Sequence, residues 1–177
     1  AVTCPNRDGT LGRGGCTFCN VSSFADESAQ QLSVVQQLLA RRDEVTRARR
    51  YLAYFQAYTS TYAEVEYLQR MYEEALSVSD MVGLCVGTRP DCVPDAVLDL
   101  LAGYQARGYE VWLELGLQSA NDKTLQRINR GHGYAAYADA VARAHLRGIK
   151  VCAHLIVGLP GEVPMDSLET LHRIVET

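Results

Sequence analysis

The sequence predicts an α/β fold, a parallel sheet with its helices outside it, wound either as a barrel or as a doubly wound sheet. Two observations carry this. Short apolar runs of strand length, MVGLCVG, EVWLELGL and IKVCAHLIV among them, alternate with longer stretches whose apolar residues recur at helical spacing. The order is strand then helix, four times over. Such alternation implies crossover connections that lay helices against parallel strands.

After a cysteine-bearing stretch at residues 4–19, residues 20–28 are polar and turn-like. From residue 29 to about 47, Leu32, Val35, Leu38, Leu39 and Val45 fall at near-helical spacing between charges, which predicts the first helix. Residues 50–58 are aromatic and apolar throughout, as in a strand buried on both faces. Residues 59–63 turn, and 64–76 supply a helix. The next strand is 81–87, followed by a polar link at 88–91 and a helix from about 94 to 106 with Pro94 in its first turn. Gly108 stops that helix, 110–117 is a strand, and 118–121 turn into a helical stretch near 122–130. A longer helix covers 134–147 until Gly148 ends it. Residues 149–157 are the last strand, 158–161 a tight turn, and 165–175 the final helix.

At 177 residues and 47% hydrophobic content, the chain has the size and apolar surface of one domain. A net charge of −4 provides no overall basic face for a phosphate backbone. Arg41, Arg42, Arg47, Arg49 and Arg50 do cluster, but such a run is ordinarily a solvated helix face. No apolar stretch approaches the roughly 18 residues of a bilayer span and no signal peptide opens the chain, so a cytoplasmic protein without a membrane partner is expected. The chain starts three residues before Cys4 without an initiating Met and stops inside a helical pattern, so a piece of a longer protein is expected.

Three of the six cysteines, Cys4, Cys16 and Cys19, lie in the Gly- and Arg-rich run CPNRDGTLGRGGCTFC. Three thiolates do not complete the ligand set of a four-iron cluster, so one iron would be left open to a substrate or cofactor. Gly9, Gly12, Gly14 and Gly15 let backbone N–H groups approach such an anionic group. A zinc ribbon would need a second ligand pair, which the sequence lacks, and a thioredoxin-like pair at Cys16 and Cys19 would leave Cys4 without a task. Cys85, Cys92 and Cys152 sit in or beside apolar runs and read as buried, inert thiols.

In either α/β arrangement, ligands bind beyond the carboxyl ends of the strands. The polar residues there include Gln56, Tyr58, Thr59, Arg89, Gln118 and His154. Gln118 has no evident capping duty and reads as functional; His154 reads equally as a hydrogen-bonded core histidine or a ligand contact. Asp91 reads as a turn residue, and Arg130, past a short helix, as an exposed cation.

The segments CPNRDGTLGRGGCTFCN, YFQAYTSTYA, VGTRPD, LELGLQS and HLIVGLPGE, in that order, resemble the radical S-adenosylmethionine (SAM) superfamily. Within it they resemble the YhcC-like branch, related to the radical SAM domain of the Elongator catalytic subunit. The likeness spans essentially residues 1–177, read as one core domain whose first strand is mostly absent and whose sixth strand and C-terminal region are missing. It implies a partial (β/α)6 TIM-like barrel carrying a 4Fe-4S cluster, with S-adenosyl-L-methionine chelating the unique iron. It further implies reductive cleavage of that cofactor to a 5′-deoxyadenosyl radical that removes hydrogen from a substrate. A protein reductant such as flavodoxin or ferredoxin, and transfer RNA as a candidate substrate, follow by the same analogy.

By resemblance, Cys4, Cys16 and Cys19 are the cluster ligands and Phe18 lies near the adenine. Eleven residues separate Cys4 from Cys16, where the superfamily usually has three. Gln56, Ala57, Tyr58 and Thr59 occupy the segment that holds the methionine amino group, through backbone carbonyls since its usual glycines are missing. Gln118 and Arg130 match contacts to the ribose and the methionine carboxylate, His154 stands where relatives often carry Asp, and Ile156 packs on the adenine. Gly87 replaces a frequent Glu, for which Glu114 or Asp91 would compensate. The competing reading, from another class, is a non-catalytic iron–sulfur or zinc protein; a non-radical methyltransferase would give the cysteines no task.

Overall fold

The computed structural model describes residues 2–20, 31–45 and 47–177. Of the turn expected at 20–28 and the helix expected from 29, residues 21–30 lie outside the described ones. Four strands, β1 (Tyr51–Phe55), β2 (Met81–Thr88), β3 (Glu110–Gln118) and β4 (Lys150–Leu155), form one parallel sheet. A one-turn helix α1 (Pro5–Asp8) and α2 (Val34–Glu44) precede β1. Helix α3 (Val65–Leu76) links β1 to β2, and α4 (Asp95–Ala106) links β2 to β3. Helices α5 (Asp122–Arg127) and α6 (Tyr134–His145) link β3 to β4, and α7 (Pro164–Val175) follows β4.

The strand order is β1-β2-β3-β4, the order of the chain. A doubly wound sheet reverses its order at a switch point, whereas a barrel winds in one direction. The sequential order therefore settles the choice left by the sequence in favour of the barrel-type arc, with the sheet open. Strand alternation divides the residues between two faces. Leu84, Val86, Leu113 and Leu115 are fully buried on the outer face, in one core with Leu68 and Tyr72 of α3, Leu98 and Leu101 of α4, and Tyr137 and Ala140 of α6. The inner face carries Tyr54, Cys85, Glu114, Cys152 and His154, none of them buried.

Several boundaries differ from the sequence reading, each for a local reason. The first strand stops at Phe55 because Ala57 and Tyr58 adopt left-handed backbone, with φ of 72° and 62°, which no strand can continue through. Nor is it covered on both faces: Leu52 and Tyr54 point inward and stay about two-fifths exposed. Helix α2 begins only at Val34 because Ser33 caps it. The Ser33 hydroxyl accepts from Gln36 N at 3.2 Å while Gln36 Oε1 accepts from Ser33 N at 2.9 Å, an arrangement worth about 1 kcal/mol. Pro94 is the cap of α4 instead of its first-turn residue. Gly83 has a steric role: a Cβ there would run into the main chain of Glu110 on the neighbouring strand.

Among the described residues no helix is long and apolar enough to cross a membrane. Met165, Leu168, Leu171 and Val175 leave one side of α7 as an exposed apolar ridge.

Tyr72 joins the outer layer to the site. Its ring meets Phe55 edge-on at 4.9 Å and Tyr104 at 6.3 Å, and its buried hydroxyl donates to Ser60 O at 3.0 Å. Removing the ring leaves a cavity and an unpaired carbonyl. Tyr72→Ala should cost about 3–5 kcal/mol and Tyr72→Phe about 1–3 kcal/mol in urea denaturation, with Leu146→Ala, on the surface, within about 0.5 kcal/mol of the parent.

Candidate functional site

The cysteine stretch is folded onto itself by its own backbone. Cys4 O accepts from Arg7 N at 2.8 Å and from Asp8 N at 3.1 Å, forming α1, with Pro5 supplying the fixed φ at its start. Leu11 N then returns to Pro5 O at 2.9 Å and Gly15 N to Asn6 O at 2.9 Å. Left-handed backbone at Gly14 and Gly15, with φ of 84° and 78°, permits that return. The eleven-residue spacer is thus a compact loop that brings Cys16 back beside the residues following Cys4. Cys19 N bonds to Cys16 O at 3.0 Å, and Arg7 reaches Cys19 O at 3.1 Å. Cys4 and Cys16 are buried and Cys19 partly so.

The loop is pinned to the carboxyl edge of the sheet by residues more than a hundred positions away. Asn6 Nδ2 donates to Asn129 O at 2.5 Å, Asn129 Nδ2 to Gly15 O at 2.8 Å, and Thr17 N to Ile128 O at 3.0 Å. Arg130 places Nη1 3.4 Å from Cys16 Sγ and Nη2 2.5 Å from Gly116 O. Asn6 Nδ2 stands 3.6 Å from the same sulfur. Arg130 is only 6% exposed, so the solvated cation expected from its place after a short helix is overturned: α5 ends at Arg127, and the chain then turns Arg130 inward.

Positive groups and unpaired donors converge on the thiols. Arg7 hydrogen-bonds at Cys19, interacts electrostatically with Cys4, and stacks on the Tyr58 ring at 5.7 Å. Buried Arg89 is clamped on Asp91 at 2.7 and 2.9 Å. Asp91 thus anchors a cation and does more than close a turn. Among the described residues, Arg89 Nη1, Arg130 Nε, Thr59 Oγ1 and His132 Nε2 are buried without a partner. Buried polar atoms normally find one. Three thiols ringed by guanidinium groups with free N–H donors are a donor set suited to an anionic metal–sulfide group, and in that chemical sense the residues present fit a 4Fe-4S cluster.

Other residues singled out in the sequence divide into two sets. Gln118 has left-handed backbone, φ 78°, at the bulge where β3 leaves β4, and its side chain stands with Arg130 over Gly116. A Cβ at Gly116 would come within 2.7 Å of Arg130 Nη2 and 2.8 Å of Gln118 Nε2. Gly116 pairs with His154 in register, so Gln118, Arg130 and His154 occupy one corner. His154 is half-exposed and binds Glu114 at 2.7 Å, which removes the core-histidine alternative. Thr59 is fully buried under the cysteine stretch, its N–H on Thr3 O at 3.2 Å. Gln56 and Phe18 are exposed, and Ile156 packs against Leu125, Ile128 and Leu159.

Sequence reading missed the loop pins Asn6 and Asn129, and it named Glu114 only as a substitute for the Glu absent at Gly87, without the inner-face group that forms around it. Cys85 and Cys152 are not the buried inert thiols expected; both are partly exposed on the inner face, and only Cys92 is buried. Cys85 donates to Glu114 Oε1 at 2.6 Å and Tyr54 to Oε2 at 2.8 Å. Burial raises the Glu114 carboxyl, but these two hydrogen bonds and the His154 charge outweigh it and hold it below the ordinary range. The strands' period-2 alternation is the available signal, obscured because Cys85 and Cys152 sit within apolar runs.

The sequence profile of the Radical SAM superfamily matches residues 4–174. Protein YhcC of Escherichia coli strain K12 is 66% identical over 175 residues, covering 99% of this chain and 57% of that protein. Protein YtqA of Bacillus subtilis is 40% identical over 177 residues, covering 98% of this chain and 55% of its own length. The chain thus spans little more than half of these relatives. Among solved structures, coproporphyrinogen III oxidase of Escherichia coli superimposes with a TM-score of 0.63 at 19% identity, over 99% of this chain and 40% of that one, a likeness of fold.

His132 yields a pH test. Burial, with the nearby Arg130 charge, lowers its pKa from 6.5 to about 4. The unfolded chain gains this proton as pH falls through 6.5 and the folded chain only near 4, so the contribution of His132 is whole above pH 6.5 and declines between 6.5 and 4. In urea denaturation of the metal-free protein, His132→Asn should flatten the pH dependence across that window and leave the slope above pH 7 unchanged.

Proposed function

Because the chain belongs to the radical SAM superfamily, whose cofactors are a 4Fe-4S cluster and S-adenosyl-L-methionine, we propose that it binds the cluster through Cys4, Cys16 and Cys19. On this reading it uses that site for hydrogen abstraction from a substrate. The observation that carries this is the buried cysteine loop, folded closed on itself and faced by Arg7, Arg89 and Arg130. When bound, the reduced cluster and S-adenosyl-L-methionine supply a 5′-deoxyadenosyl radical; the residues of the chain bind, orient and shield.

The three thiols deprotonate to bind iron, and the guanidinium groups compensate the added negative charge. Arg130 has both Nη atoms engaged, on Cys16 and on Gly116 O, and keeps Nε free for a carboxylate oxygen. Gln118, standing beside it over Gly116, is placed for a ribose hydroxyl, with His154 at the next strand. The left-handed pair Ala57 and Tyr58 turns the main chain at the end of β1, and carbonyls of residues 56–59 are the acceptors proposed for the amino group. Phe18 and Ile156 offer apolar surface to an adenine ring and exclude water from it. A one-electron reductant is required, a flavodoxin or ferredoxin on this reading.

For the substrate we favour transfer RNA, on the likeness to a tRNA uridine(34) acetyltransferase of Dehalococcoides mccartyi, 30% identical over 109 residues, 59% of this chain and 23% of that protein, and on the related likeness to Elongator complex protein 3. The arginines of α2 give only modest support, because Arg41 is paired with Glu44 and Arg42 with Asp43.

Anaerobic reconstitution with iron and sulfide, then reduction with S-adenosyl-L-methionine present, should yield 5′-deoxyadenosine; a protein with a full cluster that makes none contradicts the proposal. Cys16→Ala and Cys19→Ala should lose product together with iron, whereas Gln118→Asn, which leaves the Arg130 contacts to the loop in place, should keep iron and weaken S-adenosyl-L-methionine binding at least tenfold. Transfer RNA binding should weaken steeply between 50 and 200 mM salt, as counterion release demands; salt-independent binding removes the nucleic-acid part.

A further inference from the structure

The inner face of the sheet holds a second donor cluster, apart from the cysteine loop. Glu114 of β3 faces Cys152 of β4 directly in register, and His154 is the next inward-pointing residue of β4. One ligand atom from each of Glu114, Cys152 and His154 lies within 4.8 Å of the other two. Around a tetrahedral zinc ion, bonds of about 2.0–2.3 Å separate ligand atoms by roughly 3.3–3.8 Å, so slight side-chain movement suffices. Gly87 stands on the other side of Glu114 and Gly116 beside His154, so neither neighbouring position adds a side chain of its own beside the three donors; Arg130 and Gln118 lie over Gly116 and the Tyr54 hydroxyl over Gly87, and these bound the space.

We infer that Glu114, Cys152 and His154 form a binding site for a divalent, thiophilic cation of the zinc class, with its fourth coordination position open to the interior of the arc. A mixed sulfur, nitrogen and oxygen set selects such an ion over magnesium or calcium, which take oxygen ligands. Cys85 and Tyr54 are the supporting residues: by donating to the two oxygens of Glu114 they fix its carboxylate, as outer-shell partners of ligating carboxylates do. Binding displaces the Cys152 thiol proton to solvent, the His154 imidazole binds in its neutral form, and no redox change occurs. His154 remains 43% exposed at its side chain, so the ion would be reachable from the interior. Glu114 and Cys152 lie about 13 Å before Gln118 along β3, four residues at the strand rise, and so below the rim proposed for the cluster and its cofactor, while His154, level with Gly116, reaches up toward the corner of Gln118 and Arg130. An ion there would coordinate an oxygen, nitrogen or sulfur atom of the substrate and hold it beneath the rim. This assigns His154 to a cation in place of a ribose hydroxyl and stands independently of radical chemistry.

The test uses protein reconstituted with iron and sulfide, so that the cysteine loop is occupied, then equilibrated with zinc chloride and freed of excess metal. The parent should retain one zinc per chain in addition to its iron. Cys152→Ala and His154→Ala should bind zinc at least tenfold more weakly at unchanged iron content, and His172→Ala, a solvent-exposed control on α7, should bind as the parent does. Zinc K-edge absorption of the parent should give one sulfur with nitrogen or oxygen neighbours, a readout that survives if a variant fails to fold. A parent without zinc, variants that bind equally, an all-sulfur shell from the cysteine loop, or a shell without sulfur each overturns the site. Loss of 5′-deoxyadenosine with this zinc intact would instead count against the radical reading alone.

Discussion

The structure depends on the contact of Arg130 with Cys16 and Gly116 O, reinforced by the Asn6 and Asn129 amides. Without it, the first twenty residues are a loop whose single-turn helix is far too short to be stable alone. With it, that loop becomes a lid over the carboxyl ends of the strands, and its thiols acquire fixed positions relative to Gln118 and His154. The cost is a buried guanidinium whose Nε has no partner. Such a deficit is sustained by surrounding structure and is relieved when an anion arrives.

The architecture was legible because strand and helix periodicities are local properties of the chain. Each of the four repeats emerged with its order intact, and the likeness in five strand-end segments indicated the family. What escaped was set by non-local or conformational facts. The left-handed Ala57 and Tyr58 carry no glycine or asparagine signal, so the first strand seemed to run three residues further at its carboxyl end than it does. Arg130 looked solvated because nothing in its immediate sequence announces a sulfur atom contributed from position 16. Cys85 and Cys152 looked inert because a one-dimensional reading does not distinguish the packed face of a strand from the open one.

The two faces of the sheet divide labour. The outer one is continuous hydrocarbon, with Leu84, Val86, Leu113 and Leu115 fully excluded from water, and it provides the rigidity on which a site of fixed geometry relies. The inner one gives up packing for access: glycines alternate there with Tyr54, Cys85, Glu114 and His154, whose polar atoms bond to one another across strands. The stability given up on the inner face is the condition for having an interior at all.

The ridge of Met165, Leu168, Leu171 and Val175 on α7 bears on how this polypeptide behaves in a tube. With a net charge of only −4, electrostatic repulsion between copies is weak, so colloidal behaviour is governed by whether that greasy strip meets another like it. Purification yield and monodispersity would then answer to polar substitutions at positions 168 and 171 more than to buffer pH.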